Sequence, residues 1–407
     1  MTPPDPATRR YPRAPVILIQ IRRRDLLYEL QNTEILDGIL DQAHAFGWEV
    51  VNAEISHDRC PSGLLPAGGV VCGLPDDPLT VQLRGMGCPV VRIGRFPHPL
   101  DHLAPPVLYD FAAAARLAAG HFHERGFRDV AFIGRDPWGD MKFLYDAFSA
   151  HSTELGMTCH MIRIPQDTKP DAEADTTFVM DRDDRRARRV GEELKALPKP
   201  VGVLASSDKM GATICFWARQ AGLAVPEDVA ILGLGDDRFH CEGSLVSLSS
   251  VDMNDREYGC QAVCRLRRLI NGEPAPPGPL MIPPTGVHIR RSTDVLAVDD
   301  PIVARALRFM WDHVKQPVTV DDVADHMAVS RRKLERAFRN TLGRGVNVEL
   351  RRKRLEIARE LLRATELTVA DIADTTGIGS ASYLHRTFQR QYGMTPAQFR
   401  QKKMTSR

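Results

Sequence analysis

No stretch of this 407-residue chain is apolar for long enough to cross a bilayer. The longest apolar run near the start, "APVILIQI" (Ala14–Ile21), is far short of the roughly 20 residues a spanning helix needs, and no cleavage site follows it. None of the eight cysteines (Cys60, Cys72, Cys88, Cys159, Cys215, Cys241, Cys260 and Cys264) forms a C-x-x-C pair. Cys260 and Cys264 lie four apart, but no matching His or Cys pair completes a metal site. The thiols are expected to be reduced and buried, in a cytoplasmic protein without a membrane partner. Catalytic signatures are missing as well. No G-x-G-x-x-G opens the first helical stretch, and there is no P-loop and no G-x-S-x-G. Among 13 histidines, no H-x-x-x-H pair falls on a helical stretch. His121 and His123 are two apart and face different ways on a helix. The one enzymatic candidate left is "GLGDD" (Gly233–Asp237), read as a phosphate or metal loop. The expectation is a non-enzyme with no cofactor and no metal.

What is present is asymmetric. The net charge of +2 hides a basic tail: residues 301–407 hold 21 Lys and Arg against 11 Asp and Glu, while residues 1–300 hold 33 against 41. An acidic body with a basic tail points to nucleic acid as the tail's partner.

Residues 1–14 are rich in proline and polar side chains, a flexible lead-in. Short apolar runs then alternate with helical spacing. Strands are expected at "VILIQI", "WEVV", "GGVVCG", "PVVRIG", "DVAFIG", "TCHMIRI", "VGVLAS" and "DVAILGL". Helices are expected at 34–46, 112–125, 142–155, 182–197, 207–221 and 254–270, with Ser207 or Asp208 near a cap. Such alternation is the pattern of parallel α/β sheets, and about 270 residues suffice for two. The Pro/Gly-rich "NGEPAPPGPLMIPPTG" (Asn271–Gly286) closes this body. From Ile302 the pattern is all helical.

Two stretches of the tail share a rhythm. "VADHMAVSRRKLERAF" (Val323–Phe338) and "IADTTGIGSASYLHRTF" (Ile372–Phe388) start 49 residues apart. In the first, Thr319 and Ser330 are caps, Val323, Ala324 and Met327 face inward, and Leu334, Ala337 and Phe338 follow on the next helix. Arg331, Arg332, Lys333, Glu335, Arg336 and Arg339 face outward. In the second, Thr368 is the cap and Gly377 makes the turn with positive φ. Tyr383, Leu384 and Phe388 are expected inside, with His385, Arg386, Gln389 and Arg390 outside. Each copy has helix-turn-helix spacing. A helical stretch at 346–365 separates them by ~30 Å, close to the roughly 34 Å between successive major-groove faces of B-DNA. Duplication doubles the base pairs read, and the arginines offset phosphate charge.

These motifs, with the closing "YGMTPAQFR", resemble the DNA-binding domain of the AraC/XylS family across 302–403. That resemblance implies base contacts by Arg332, Glu335 and Arg336 in the first copy and by Ala381, Ser382 and Arg386 in the second. It makes Arg331, Lys333, Arg339 and Thr368 phosphate contacts, with His385 and Gln389 on the same outward face. "GLAVPEDVAILG" and "VLYDFAAAARLAAGHFHERGFRDVAFIG" resemble the periplasmic-binding-protein-like domain of LacI/GalR-type regulators across 15–290, with 291–301 as linker. The joined arrangement is XylR-like. It implies a two-lobed α/β sensor with an effector cleft, followed by an all-α module with two helix-turn-helix motifs. Its implied partners are operator DNA, a small-molecule effector such as a sugar, a second copy of the chain, and RNA polymerase. The cleft departs from the family pattern. Ser207–Asp208 stands for an Asn–Asp pair, Gly235 for an aspartate, and Leu144 (before Phe148) for an arginine. Asp208 and Asp236 remain as effector ligands. An effector-free sensor and an enzyme fused to a DNA-binding module stay as alternatives.

Overall fold

The computed structural model describes residues 15–20, 33–53, 59–72, 76–95, 97–135, 141–164, 185–274, 278–295, 297–298, 300–316 and 318–404. The expected lead-in at 1–14 lies outside them, as do the first residues of the helix expected from 182.

The body, to Asp294, contains two six-stranded sheets. In the first, β1 (Val16–Gln20), β2 (Glu49–Asn52), β3 (Gly68–Cys72), β4 (Val90–Gly94), β5 (Pro106–Tyr109) and β11 (Leu280–Ile282) run in the order β11-β5-β4-β3-β1-β2, all parallel. The second comprises β6 (Asp129–Arg135), β7 (Thr158–Ile164), β8 (Val201–Ala205), β9 (Val229–Leu234), β10 (Ser249–Asp252) and β12 (Gly286–His288). Its order is β12-β10-β9-β8-β6-β7, with β12 antiparallel to β10. Central strands such as "GGVVC" and "VGVLA" are buried along their whole length. This is why they read as unbroken apolar runs: helices cover both faces of a parallel sheet.

Those helices are α1 (Glu34–Ala45), α2 (Pro78–Gly85), α3 (Phe111–Glu124), α4 (Met141–Glu154), α5 (Arg185–Ala196), α6 (Asp208–Gln220), α7 (Arg238–Glu242) and α8 (Asp255–Ile270). α8 follows β10 of the second sheet yet packs on α1 and on β3–β5 of the first. Two glycines permit that packing. A Cβ on Gly38 would lie 2.1 Å from the Arg256 carbonyl oxygen, and one on Gly259 2.2 Å from that of Ile35.

Among the described residues the chain crosses between lobes three times: after β5 at Asp110, after β10 before α8, and from β11 to β12. The crossings are tied together. Asp110 N donates to Ile282 O (2.9 Å), and Thr285 N and Oγ1 donate to Asp252 O (3.0 Å) and Oδ2 (2.6 Å). β5, β10, β11 and β12 carried no separate expectation in the sequence. They have three or four residues each, too few for periodicity to register.

The expected end of the body at 290 is corrected. A 3₁₀ turn, Arg291–Thr293, belongs to it. Ser292 Oγ donates to Ile231 O (2.5 Å), and Thr293 Oγ1 to Ser249 Oγ (2.7 Å), both fully buried. The linker therefore starts after Asp294.

The second unit is helical: α9 (Pro301–Asp312), α10 (Val320–His326), α11 (Arg331–Leu342), α12 (Val346–Ala364), α13 (Val369–Thr375), α14 (Ala381–Tyr392) and α15 (Pro396–Met404). It has two cores. One gathers Val323, Ala324, Met327, Leu334, Phe338 and Leu350; the other gathers Leu355, Leu362, Ile372, Ala373, Leu384 and Phe388. α12 contributes to both.

Candidate DNA-binding surface and effector cleft

α10 and α13 start with the same device. Thr319 accepts from Asp322 N while Asp322 accepts from Thr319 N, and Thr368 with Asp371 repeats it. These capping boxes satisfy backbone donors that a helix start leaves open. The turns follow. Ala328 has φ 54°, Gly377 has φ 65°. Ser330 and Ser380 then cap α11 and α14, accepting from Lys333 N and Tyr383 N.

The two copies differ by one residue. α10 and α13 begin at Val320 and Val369, an offset of 49, whereas α11 and α14 begin at Arg331 and Ala381, an offset of 50. The extra residue is in the second turn, where Gly379 takes φ 99°. Tyr383 is thus the counterpart of Lys333, and the structure corrects its expected inward placement: Tyr383 is exposed. Leu384 and Phe388 are buried as expected.

On α11, Arg331, Arg332, Lys333, Arg336 and Arg339 are exposed on one face. Arg331 is bound to Asp321 (2.9 Å). Glu335 is half-buried, with Oε2 2.7 Å from where a Cβ on Gly345 would lie, so its carboxylate packs at the start of α12. On α14, Ser382, His385, Arg386 and Gln389 are exposed, and Ala381 is half-buried. Thr368 is spent in its capping box.

The 19-residue α12 spans about 28 Å. Its Glu349 is fully buried and bound by Arg344 and Arg352 (2.6 Å to Arg352 Nη2). Arg354 donates from Nε to Val314 O (3.1 Å) and from Nη2 to Gln316 O (2.7 Å), and its guanidinium also lies against Gly377. One side chain so joins the first half of the module to the second turn.

In the body, strand ends of the two lobes face each other. Arg95, after β4, reaches across to donate from Nη2 to Ser206 O (3.4 Å), after β8. Asp208 sits at the start of α6 behind Ser207, which caps the helix by accepting from Met210 N. Its carboxylate turns inward, 1% exposed. Oδ1 accepts from Ser250 Oγ (2.5 Å) and Oδ2 from Asp237 N (2.7 Å). Two glycines make room: a Cβ at Gly233 would meet Oδ1 at 2.1 Å, and one at Gly235 would meet Oδ2 at 3.0 Å. Burial pushes the Asp208 carboxyl up to about 7, against the lowering effect of both hydrogen bonds. Asp208 thereby anchors the loop that carries Asp236 and Asp237.

Asp236 has φ 60° and is held by Arg290 Nη1 (2.7 Å) and His288 Nδ1. Burial raises its pKa, but the bond and charge of His288 and the charge of Arg290 outweigh burial and leave it low. His288 Nε2 lies 3.6 Å from Oδ2 of Asp252, the last residue of β10. Asp236, Asp252 and His288 bring ligand-type atoms within 4.8 Å of one another. Arg290 and His288 already occupy both Asp236 oxygens, so the cluster reads as a salt-bridged hinge rather than a cation cage. Glu34, at the start of α1, has its pKa raised by partial burial and by Asp252 and Asp236. Leu144 and Phe148 are both fully buried, so the side chain standing for an arginine is in the core.

Sequence reasoning missed Arg95, Glu34, Asp252, His288 and Arg290, and placed Tyr383 on the inward face. Arg95 was within reach, since residues just after parallel strands line clefts. The two glycines of "TGIGS" were the signal of the longer turn.

Fold and surface together define a DNA-binding transcription regulator with a separate sensing domain. Residues 119–293 match the periplasmic binding protein-like domain family, and residues 323–402 match a helix-turn-helix domain family. The chain thus carries a match to a periplasmic binding protein-like domain followed by a match to a helix-turn-helix domain, in the order that the sequence resemblance implied. It is 25% identical over 378 residues to the xylose operon regulatory protein of Haemophilus influenzae, covering 91% of this chain and 95% of that one. Against the protein of that name from Escherichia coli K12 it is 27% identical over 341 residues, 82% and 83% of the two chains. The solved structure of the xylose-binding transcription activator xylR superposes with a TM-score of 0.60 at 23% identity, covering 96% of this chain and 98% of that one.

Proposed function

We propose that this regulator senses a sugar in the cleft between its two α/β lobes and reads an operator of two adjacent half-sites. The doubled helical motif carries the DNA half of the reading: two capped helices lead into two exposed polar helices on a spacer of about one duplex turn. The similarity to xylose operon regulators supports a sugar as effector. Asp236 and Arg95, at facing strand ends, are polar groups that a polyhydroxylated ligand needs, and Asp208 serves the site through the loop it anchors. Closure of the lobes on the effector shifts a two-state equilibrium and changes how the modules of a homodimer engage DNA. RNA polymerase is the partner through which that change acts. In this reading the chain works in the cytoplasm and carries no catalytic activity, resident metal or cofactor.

Thermal-shift measurements on the full chain with pentoses, hexoses and polyols test the effector half. One sugar should raise the midpoint in a saturable way and change operator affinity. A shift with no sugar at millimolar concentration contradicts it.

A further inference from the structure

Tyr383 and Arg351 stand on different elements of the module yet meet. Arg351 is on the second turn of the spacer helix α12, and Tyr383 is the third residue of α14. Arg351 Nη1 donates to the Tyr383 hydroxyl at 3.4 Å, and both side chains are exposed. Among the described residues this is the one hydrogen bond that either side chain makes. The hydroxyl accepts from the cation, so its own proton is directed at another acceptor. Arg351 keeps most of its donors in solvent. Two donor groups, one of them cationic, thus converge on the same side of the junction between spacer and second reading helix.

The rest of α14 makes that placement meaningful. α11 presents five exposed cations, whereas the exposed face of α14 holds Ser382, Tyr383, His385, Arg386, Gln389 and Arg390. The second head is poor in charge for seating on a polyanion. The one-residue shift of α14 also puts a tyrosine where the first head has Lys333. A cation brought in from the spacer compensates for the lysine that α14 lacks.

We propose that Arg351 and Tyr383 form a phosphate clamp: together they hold one backbone phosphate of the duplex beside the second half-site. The tyrosine hydroxyl donates to one non-bridging oxygen and the guanidinium to the same or the neighbouring oxygen. This rests on the DNA-binding reading above. The clamp fixes register and carries no base information.

The test uses the full chain and a duplex that the full chain has selected from a random pool. Single phosphates are replaced one at a time by neutral methylphosphonates. One position should weaken wild-type binding roughly tenfold and weaken Arg351→Ala by much less. Arg351→Ala should lower the slope of log K against log salt by about 1, and Tyr383→Phe should weaken binding severalfold with the slope unchanged. Base preference should be that of wild type in both, and Arg351→Lys should restore the slope. Both positions are exposed, so the thermal transition should stay in place. Wild-type affinity and slope in both variants overturn the clamp, as does a changed base preference in Tyr383→Phe. Failure of the wild-type chain to select any duplex would instead overturn the DNA-binding reading.

Discussion

Ala328 and Gly377 occupy the same left-handed turn, 49 positions apart, one with a Cβ and one without. Their φ angles are 54° and 65°. A left-handed conformation costs an L-residue with a Cβ roughly 1–2 kcal/mol, offset in part by the greater backbone freedom of glycine in the unfolded chain. Ala328→Gly should therefore stabilise the module by about 0.5–1 kcal/mol. Gly377→Val should destabilise it by more, because a β-branched side chain fits a φ of 65° worst. Denaturant unfolding of each variant checks both signs.

Arg336 and Arg386 are exposed at equivalent places on α11 and α14. Each replaced by Ala should lose about 1–3 kcal/mol of operator affinity and relax preference at one base pair, each in its own half-site. Titration against single-base variants of the selected duplex measures this. An unchanged preference would assign that arginine to the backbone.

Asp208 gives a pH dependence of definite sign. Burial holds its carboxyl at about 7 in the folded protein, well above the ordinary aspartate value of 3.8. The folded protein therefore binds a proton there that the unfolded chain releases. The associated stability is complete below about pH 4 and is lost as pH rises toward 7. Asp208→Asn lacks this titration. The stability of wild type minus that of Asp208→Asn should fall by a few kcal/mol between pH 4 and pH 7.5, within the order of magnitude set by a shift of this size at a buried group. Paired unfolding curves across that range show it. A flat difference would mean the carboxyl ionises normally.

Gly259 lets α8 approach α1. Gly259→Ala should destabilise the body by roughly 1–3 kcal/mol, because the added methyl meets backbone that must move. Gly120 in α3, whose Cβ meets nothing within 4 Å, is the control for added bulk. Calorimetry of the two variants compares them.

Much of this was legible in the residues. Buried parallel strands show as apolar runs, and the caps Thr319, Ser330 and Thr368 mark helix starts by their chemistry. The doubled motif and its basic face were visible for the same reason. What escaped detection depends on distance rather than pattern. Tyr383 reads as core if the 49-residue rhythm is carried through the turn, and Gly379 breaks that rhythm by one. Asp208 reads as a cleft ligand by its place after β8, but Gly233 and Gly235 let it fold under the loop. Asp236, His288 and Arg290 are brought together by β9 and β12, separated by some 50 residues in sequence.

The most direct measurement is selection of duplexes from a random pool by the full chain, followed by titration of the winners with half-site spacing varied by insertion. The account predicts two conserved half-sites about 10–10.5 base pairs apart, with affinity falling steeply when five base pairs are inserted. Recovery of a single half-site indifferent to spacing, or no enrichment at low salt, would contradict it.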